Sequence, residues 1–380
     1  MLRVISALLV AFLVVCTVSF LTSEIGQPGS LSARFAEWAR DHGGGNVVAN
    51  IENFWYSHHQ PAKGGAPPPG AIPAPTTARI NPPVTAPGTL PAPTNIAPIV
   101  QPALSGEGVW HPVGRTYNGT PVVYEAFLRA STAYTSQVAG VAWMDATVLH
   151  AALYSGSYIP GGGPWKLTAP IGTAEAQTLV AAFNSGFRMQ DAGGGFYTQG
   201  QVVVPLRAGA ASIVIFRDGS MTVGEWGRDV TMTPDVVAVR QNLRLLVDHG
   251  APARDLSMGA WGATLNNNLA VWRSGLGVTA KGAIVYAAGP ALDVPSLARL
   301  LQAAGAVRAM ELDINTDWVN MSAYNPAPPD TTASGANGQT LLSTMAGGAG
   351  RFFSPSWNRD FFTMSLPGPG GSQSSGGRTG

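Results

Sequence analysis

The chain has one cysteine in 380 residues, Cys16, inside the first apolar run, so everything after that run is free of thiols. A thiol-free body can hold no disulfide framework, and it suits an oxidising, exported setting where stray thiols are a liability. Charge is scarce too, with 22 basic and 21 acidic residues, 11% charged in all, and a net charge of +1. Nucleic-acid binding needs clustered Lys and Arg, so that class of partner is excluded. Lysine is nearly missing, with Lys63, Lys166 and Lys281 alone among the 22 basic residues. His111, His150 and His249 are too scattered for a metal motif, so no metal is expected and no cofactor is indicated. A Ser-His-Asp order and a phosphate-cradling loop are likewise missing.

What the chain has in quantity is apolar sequence, 45% of it, enough to bury one large core. Residues 4–21 are apolar apart from small hydroxyl residues, with Arg3 before them and Glu24 after. At eighteen residues the run exceeds the usual signal-peptide core of about 7–15 residues and approaches the roughly 20 that span a bilayer. An uncleaved signal-anchor is preferred over a cleaved signal, with the N-terminus in the cytoplasm and the rest extracytoplasmic. Residues 31–40 follow with Phe35, Trp38 and Ala39 at helical spacing, either a helix near the membrane surface or one packed on the main domain. Residues 61–102 hold thirteen prolines and no acid, which reads as an extended spacer. The end, 367–380, is rich in Gly and Ser and reads as a disordered tail.

Between spacer and tail lies one domain of about 260 residues. Runs at 122–127, 137–144 and 148–154 read as strands, and 173–182 as a short helix feeding into Phe183 and Asn184. Residues 211–216 and 221–226 flank Asp218-Gly219, a strong hairpin signal, and 276–286 indicates a second hairpin. Residues 294–304 carry Leu297, Leu300 and Leu301 between Asp293-Val294-Pro295 and Gly305, the punctuation of a helix, and 307–314 reads as a strand. The fold class expected is α+β: a mixed β-sheet core with flanking helices in a single domain. The boundaries are an anchor at 1–22, a juxtamembrane segment at 23–60, a Pro-rich linker at 61–105, the domain at 106–366 and the tail at 367–380.

The stretch Met310-Glu311-Leu312-Asp313-Ile314-Asn315-Thr316-Asp317-Trp318 concentrates acid in a charge-poor chain. On a strand, Glu311, Asp313 and Asn315 share one face while Met310, Leu312 and Ile314 turn to the core. Carboxylates so close persist only beside water, a cation or an arginine, or with one protonated. The face is therefore either a site or a solvated surface, and Asn315 and Trp318 beside it favour the site.

Four blocks in this order resemble the phosphodiester glycosidase family. They are Ala182-Phe183-Asn184-Ser185-Gly186-Phe187, the Asp218-Gly219 hairpin, Arg273-Ser274-Gly275-Leu276-Gly277 with the Lys281-Gly282 turn, and the helix followed by Glu311-Leu312-Asp313. The family's versions are an Asn-Gly-Gly-Phe turn, an Arg-Thr/Ser-Ala-x-Gly turn and Leu-Asp-Gly-Gly-Gly-Ser. This chain departs at the last, where Ile314-Asn315-Thr316-Asp317 follows the aspartate and the glycines that let backbone amides approach a ligand are missing.

The resemblance implies hydrolysis of sugar-1-phosphodiesters, here at the cell envelope, with a phosphorylated glycan as partner and the membrane reached through the N-terminal helix. Such a substrate needs a cation for its phosphate, and Arg273, with Gly275 and Gly277 shaping a turn to present it, fits that role or that of a surface arginine. Asp313, with Glu311 second, is the carboxylate expected to stabilise the oxocarbenium-like state. Asn184 with Gly186 would contact sugar or phosphate, or form an Asx turn; Asn315 and Trp318 complete the expected substrate contacts, Trp318 by stacking on a sugar or as a core aromatic. The alternative is a non-catalytic envelope glycan-binding domain of the same fold.

Overall fold

A computed structural model describes residues 2–23, 30–74, 86–256, 261 and 270–368. Glu24, the middle of the Pro-rich segment at 75–85 and the tail from 369 lie outside them. The body is mostly β, in several sheets with a few helices. The large sheet runs His111–Pro112, Val123–Leu128, Ala139–Met144, Ile284–Leu292, Val271–Thr279, Ala306–Glu311, Leu245–Asp248 and Ala251–Pro252. Every one of these neighbours is antiparallel, so the sheet is not the mixed one expected from sequence.

Two five-stranded antiparallel sheets cover one face of it. One is built on the Ala211–Phe216 and Met221–Glu225 hairpin with Val236–Gln241, the other on Leu179–Asn184 between Met321–Tyr324 and Phe361–Ser365. Alternation along the strands decides what each face meets. Ile284, Tyr286 and Ala288 join Ala142 and Met144 in the core shared with the smaller sheets, whereas Val285 and Ala287 join Val141 and Trp143 under the helix Val294–Ala303. That helix starts as its sequence indicates, with Asp293 accepting from the Ser296 N–H at 2.7 Å, and stops at Gly305, whose φ is +92°.

Three readings of the sequence need correction. Residues 173–182 are not one helix: a single turn, Thr173–Ala176, gives way to the strand Leu179–Asn184, because the apolar run is consumed by a strand buried on both faces. Gly275 and Gly277 form no turn around Arg273. They lie within Val271–Thr279, where a Cβ on Gly275 would fall 2.8 Å from Leu301 Cδ1 and one on Gly277 2.7 Å from the Ala306 Cβ, so their smallness lets the helix and neighbouring strand approach. Finally, the described Pro-rich residues do not stand free. Ile96 and Val100 are buried, the Ala86 N–H donates to Thr120 Oγ1 at 2.8 Å, and the Leu90 N–H donates to Asp145 Oδ2 at 2.7 Å. Buried Arg129 ties this segment down by donating to the Val100 and Pro102 carbonyls while pairing with Glu107 at 2.8 Å.

At the N-terminus, α1 (Leu2–Ser23) holds the long apolar run, but among the described residues no helix is long and apolar enough to cross a membrane. The anchor and its orientation therefore stay expectations of the sequence. Two further helices, α2 (Leu31–Ala39) and α3 (Gly45–His58), meet at a kink where Gly43 has φ +84°, and they pack on the body.

These contacts separate two truncations. A chain starting at residue 86 should unfold cooperatively. One starting at 106 strips Ile96 and Val100, worth about 1.5–3 kcal/mol each, and should melt on the order of 10 °C lower. Equal melting temperatures for the two would show that residues 86–105 contribute nothing to the core.

Candidate active site

The strand Ala306–Glu311 ends one residue before the acidic cluster turns away from the sheet, and the turn is built from side chains rather than glycines. Asp313 Oδ1 accepts from the N–H of Ile314 at 2.8 Å and of Asn315 at 3.1 Å, and Asn315 Oδ1 accepts from the Asp317 N–H at 2.8 Å. Two successive Asx turns thus satisfy the amides that a glycine-rich loop would leave for a ligand, and residues 314–317 all keep negative φ. Ser274 sutures the turn to the sheet, its Oγ accepting from the Asp313 N–H at 3.2 Å and its N–H donating to the Asp313 carbonyl at 2.8 Å.

This turn forms the floor of a cleft of about 230 Å³. Asp313, Asn315 and Trp318 supply the floor, Phe187 and Arg188 one wall, Arg359 another, and Glu37, Arg40, Glu52 and Tyr56 of α2 and α3 the roof. Arg359 lies over the Trp318 ring, 4.5 Å from its centroid, with Nη1 3.8 Å from Asp313 Oδ2 and Nη2 donating to Glu37 Oε1 at 2.8 Å. Its Nη1 and Nε are buried without a hydrogen-bond partner among the described residues. Arg188 donates to Asp41 Oδ1 at 3.1 Å and to Asp191 Oδ2 at 3.0 Å. Burial pushes the Asp313 carboxyl up to about 6, against the pull of Arg359 and of the two backbone N–H groups; Glu37 pushes the same way as burial.

Of the residues read from the sequence, Asp313, Asn315 and Trp318 reach the cleft. Trp318 is buried beneath Arg359, so it supports a cation instead of offering its face to a sugar. Glu311 and Arg273 meet each other behind the floor, fully buried, with Arg273 Nη1 2.6 Å from Glu311 Oε1 and Nε donating to the Leu292 carbonyl at 2.9 Å. Burial raises the Glu311 carboxyl despite Arg273 beside it. Asn184 is also saturated behind the floor. It donates to Ser274 Oγ at 3.1 Å and to the Ser185 carbonyl, and accepts from Tyr286 OH at 2.8 Å and the Asn320 N–H at 3.1 Å. Gly186 is needed because a Cβ there would fall 2.8 Å from Asn242 Cγ. The structure therefore gathers the expected constellation into one polar network, but it places Arg273, Glu311, Asn184 and Gly186 in the supporting wall.

Two of the cleft's cations, Arg188 and Arg359, are not among the residues expected from the sequence. Arg188 directly follows the Asn184 block, and Arg359-Asp360 is the only charged pair in the aromatic stretch 352–366, which was the available signal. Among the described residues no group of three or more His, Cys, Asp or Glu could hold a metal ion.

The phosphodiester glycosidase family model matches residues 177–313, a span that starts before the Asn184 block and ends on the cleft aspartate. No curated protein matches the chain. Among solved structures, the catalytic domain of zebrafish N-acetylglucosamine-1-phosphodiester alpha-N-acetylglucosaminidase, auto-inhibited by its pro-peptide, aligns at 12% identity over 68% of this chain and 89% of that one, with a TM-score of 0.40. A protein from Synechocystis aligns at 12% identity over 68% of this chain and 64% of its own, with a TM-score of 0.34. A protein from Burkholderia pseudomallei K96243 does so at 12% identity over 61% and 74%, also with a TM-score of 0.34.

The wall and the floor answer differently to substitution. Arg273→Lys keeps a charge but loses the Leu292 bond and the fork, so it should cost on the order of 2 kcal/mol of stability. Asp313→Asn should stabilise. The folded-state carboxyl titrates near 6 against an ordinary value near 3.8. The charge therefore costs nothing below about pH 3, when both folded and unfolded forms are protonated, and most above pH 6. Denaturant titrations should show the asparagine variant gaining on the order of 2 kcal/mol at pH 8 and converging with wild type at about pH 3. A gain that grows toward acid would reverse the assignment.

Proposed function

We propose that the chain hydrolyses sugar-1-phosphodiesters, with Asp313 acting at the anomeric carbon and Arg359, assisted by Arg188, gripping the phosphate. The family match supports glycosidase-type chemistry. The observation that carries the finer reading is the buried Arg359 Nη1, without a hydrogen-bond partner among the described residues and 3.8 Å from Asp313 Oδ2. That N–H has no acceptor among the described residues, so a phosphate oxygen that displaces Glu37 from the same guanidinium can accept from it.

In the reaction, water adds at the anomeric carbon, the bond from that carbon to the phosphate oxygen breaks, and the phosphodiester departs as a phosphomonoester. A phosphate is already a weak base, so a strong general acid is less necessary than for an ordinary glycoside. Asp313, ionised, offsets the positive charge that develops on the sugar. The guanidinium holds the departing phosphate and stabilises its added charge. The wall contributes by immobility: Ser274 fixes the Asp313 backbone and Trp318 fixes Arg359. Glu37 occupies one arm of Arg359, so it competes with an incoming phosphate. A setting outside the cytoplasm belongs to the same proposal, resting on the thiol-free body.

The test is turnover of a synthetic sugar-1-phosphodiester by the full chain. The rate should rise with pH through about 6 as Asp313 ionises. Asp313→Asn should lower kcat by roughly 10³-fold or more, and Arg359→Lys should lower kcat/KM about 100-fold. Wild-type turnover in the asparagine variant would remove Asp313 from the chemistry. Specific glycan binding with no turnover of any sugar phosphodiester would favour a binding domain.

A further inference from the structure

The polar cleft is too small for the substrate it is proposed to take. At about 230 Å³ it falls under the usual range of about 300–1,000 Å³ for small-molecule sites. It does not end there. A groove of about 720 Å³ continues from it between α2, α3 and residues 315–317, and Glu52, Tyr56 and Asn315 line both. The two spaces differ in chemistry. Phe35, Val48, Ile51 and Trp55 line the groove, and three of them are strongly exposed: Phe35 at 52%, Ile51 at 62% and Trp55 at 57%. Its polar rim is already engaged, with Ser30 Oγ donating to Asp317 Oδ2 at 2.9 Å and lying 3.1 Å from Ser32 Oγ.

From this continuity we infer that the aglycone of the phosphodiester carries a long hydrocarbon chain, its phosphate on Arg359 and its chain in the groove along Phe35, Ile51 and Trp55. The inference rests on the hydrolase reading for its phosphate position and extends it to the substrate class, a lipid-linked sugar phosphate. Charge and polarity run in the matching order. The anionic head meets Arg359 and Arg188 at one end, and the tail meets the apolar side of the groove, formed by Phe35, Val48, Ile51 and Trp55. The polar side chains of the groove, among them Thr316 and Asp317, sit along one edge, whereas a hydrocarbon chain laid on the α2–α3 side covers Phe35, Ile51 and Trp55, large side chains that water now meets. The roof also explains its own composition. On one side α2 and α3 present Glu37, Arg40, Glu52 and Tyr56 to the cleft, and on the other Phe35, Ile51 and Trp55, so one helical pair shapes both head and tail sites.

Binding and turnover distinguish failure of this inference from failure of the hydrolase reading. The full chain is titrated with n-alkyl phosphates of increasing length, kept below their micelle concentrations, and in parallel assayed on sugar-1-phosphodiesters with methyl, octyl and dodecyl aglycones. Affinity should rise by up to roughly three- to fourfold per methylene while the chain is within the groove. Ile51→Asp should flatten that dependence, and Trp55→Ala should reduce dodecyl affinity about tenfold. Arg359→Met should weaken all lengths together. Turnover of sugar phosphodiesters with no dependence on chain length, in binding or in KM, overturns the lipid assignment and leaves the hydrolase. Length-dependent binding abolished by Ile51→Asp, with no sugar phosphodiester ever cleaved, upholds the groove as the tail site and overturns the hydrolase. Length dependence that survives both groove substitutions places the chain elsewhere and overturns the inference.

Discussion

A buried ion pair, Arg240 with Asp360, sets the geometry on which the cleft depends. Arg240 Nε lies 2.7 Å from Asp360 Oδ2, with both side chains fully buried, and the same guanidinium donates to the Gln241 carbonyl at 2.7 Å and to the Phe187 carbonyl. The pair bolts the sheet containing Val236–Gln241 to the one containing Phe361–Ser365. Phe187 precedes Arg188 and Asp360 follows Arg359, so one contact fixes the backbone beside both cleft cations. A buried pair adds little net stability over apolar packing, but losing one partner is costly, and the geometry it enforces is narrow.

The second buried pair, Arg273 with Glu311, has a related role on the other side of Asp313. Sequence reasoning treats an arginine and two nearby acids as a site because charges are rarely buried without purpose. Here the purpose of one carboxylate is to neutralise one arginine inside the wall. That leaves Asp313 as the carboxylate of this stretch that faces Arg359 in the cleft, where Glu37 of the roof meets the same guanidinium. Glu311 and Asp313 do not share a solvated face, as strand alternation implied, because the strand ends between them and the Asx turn redirects Asp313, whose charge still adds to the rise of the buried Glu311 carboxyl.

The N-terminal helices join the site to the rest of the chain. Glu37 bonds Arg359, Asp41 bonds Arg188, and Ser30 bonds Asp317, so the roof is held by the same charges that make the cleft attractive to an anion. Trp38 stacks on His42 and donates to Ser19, which links α2 back to α1. Residues 31–40 therefore make contacts with the main domain, as one of the two readings open for them expects.

The sequence by itself determined the local elements whose signals are short-range: the Asp218-Gly219 hairpin, the helix punctuated by Asp293, Pro295 and Gly305, and the strand leading to Asp313. It also singled out Asp313, because an acid at the end of an apolar strand in a charge-poor chain demands an environment. It could not determine which arginine serves it. Arg273 lies within the same run of motifs, 40 positions before Asp313, whereas Arg359 lies 46 positions after it, outside those motifs, and arrives only through the pairing of Phe361–Ser365 with Leu179–Asn184. Nor could composition show that proline-rich residues 86–102 dock, since docking rests on Ile96 joining the cluster that holds Trp110 and on Arg129 finding the Val100 and Pro102 carbonyls. Tertiary structure decided those matters because a charge is placed by the partners that surround it in space, and local periodicity carries no record of them.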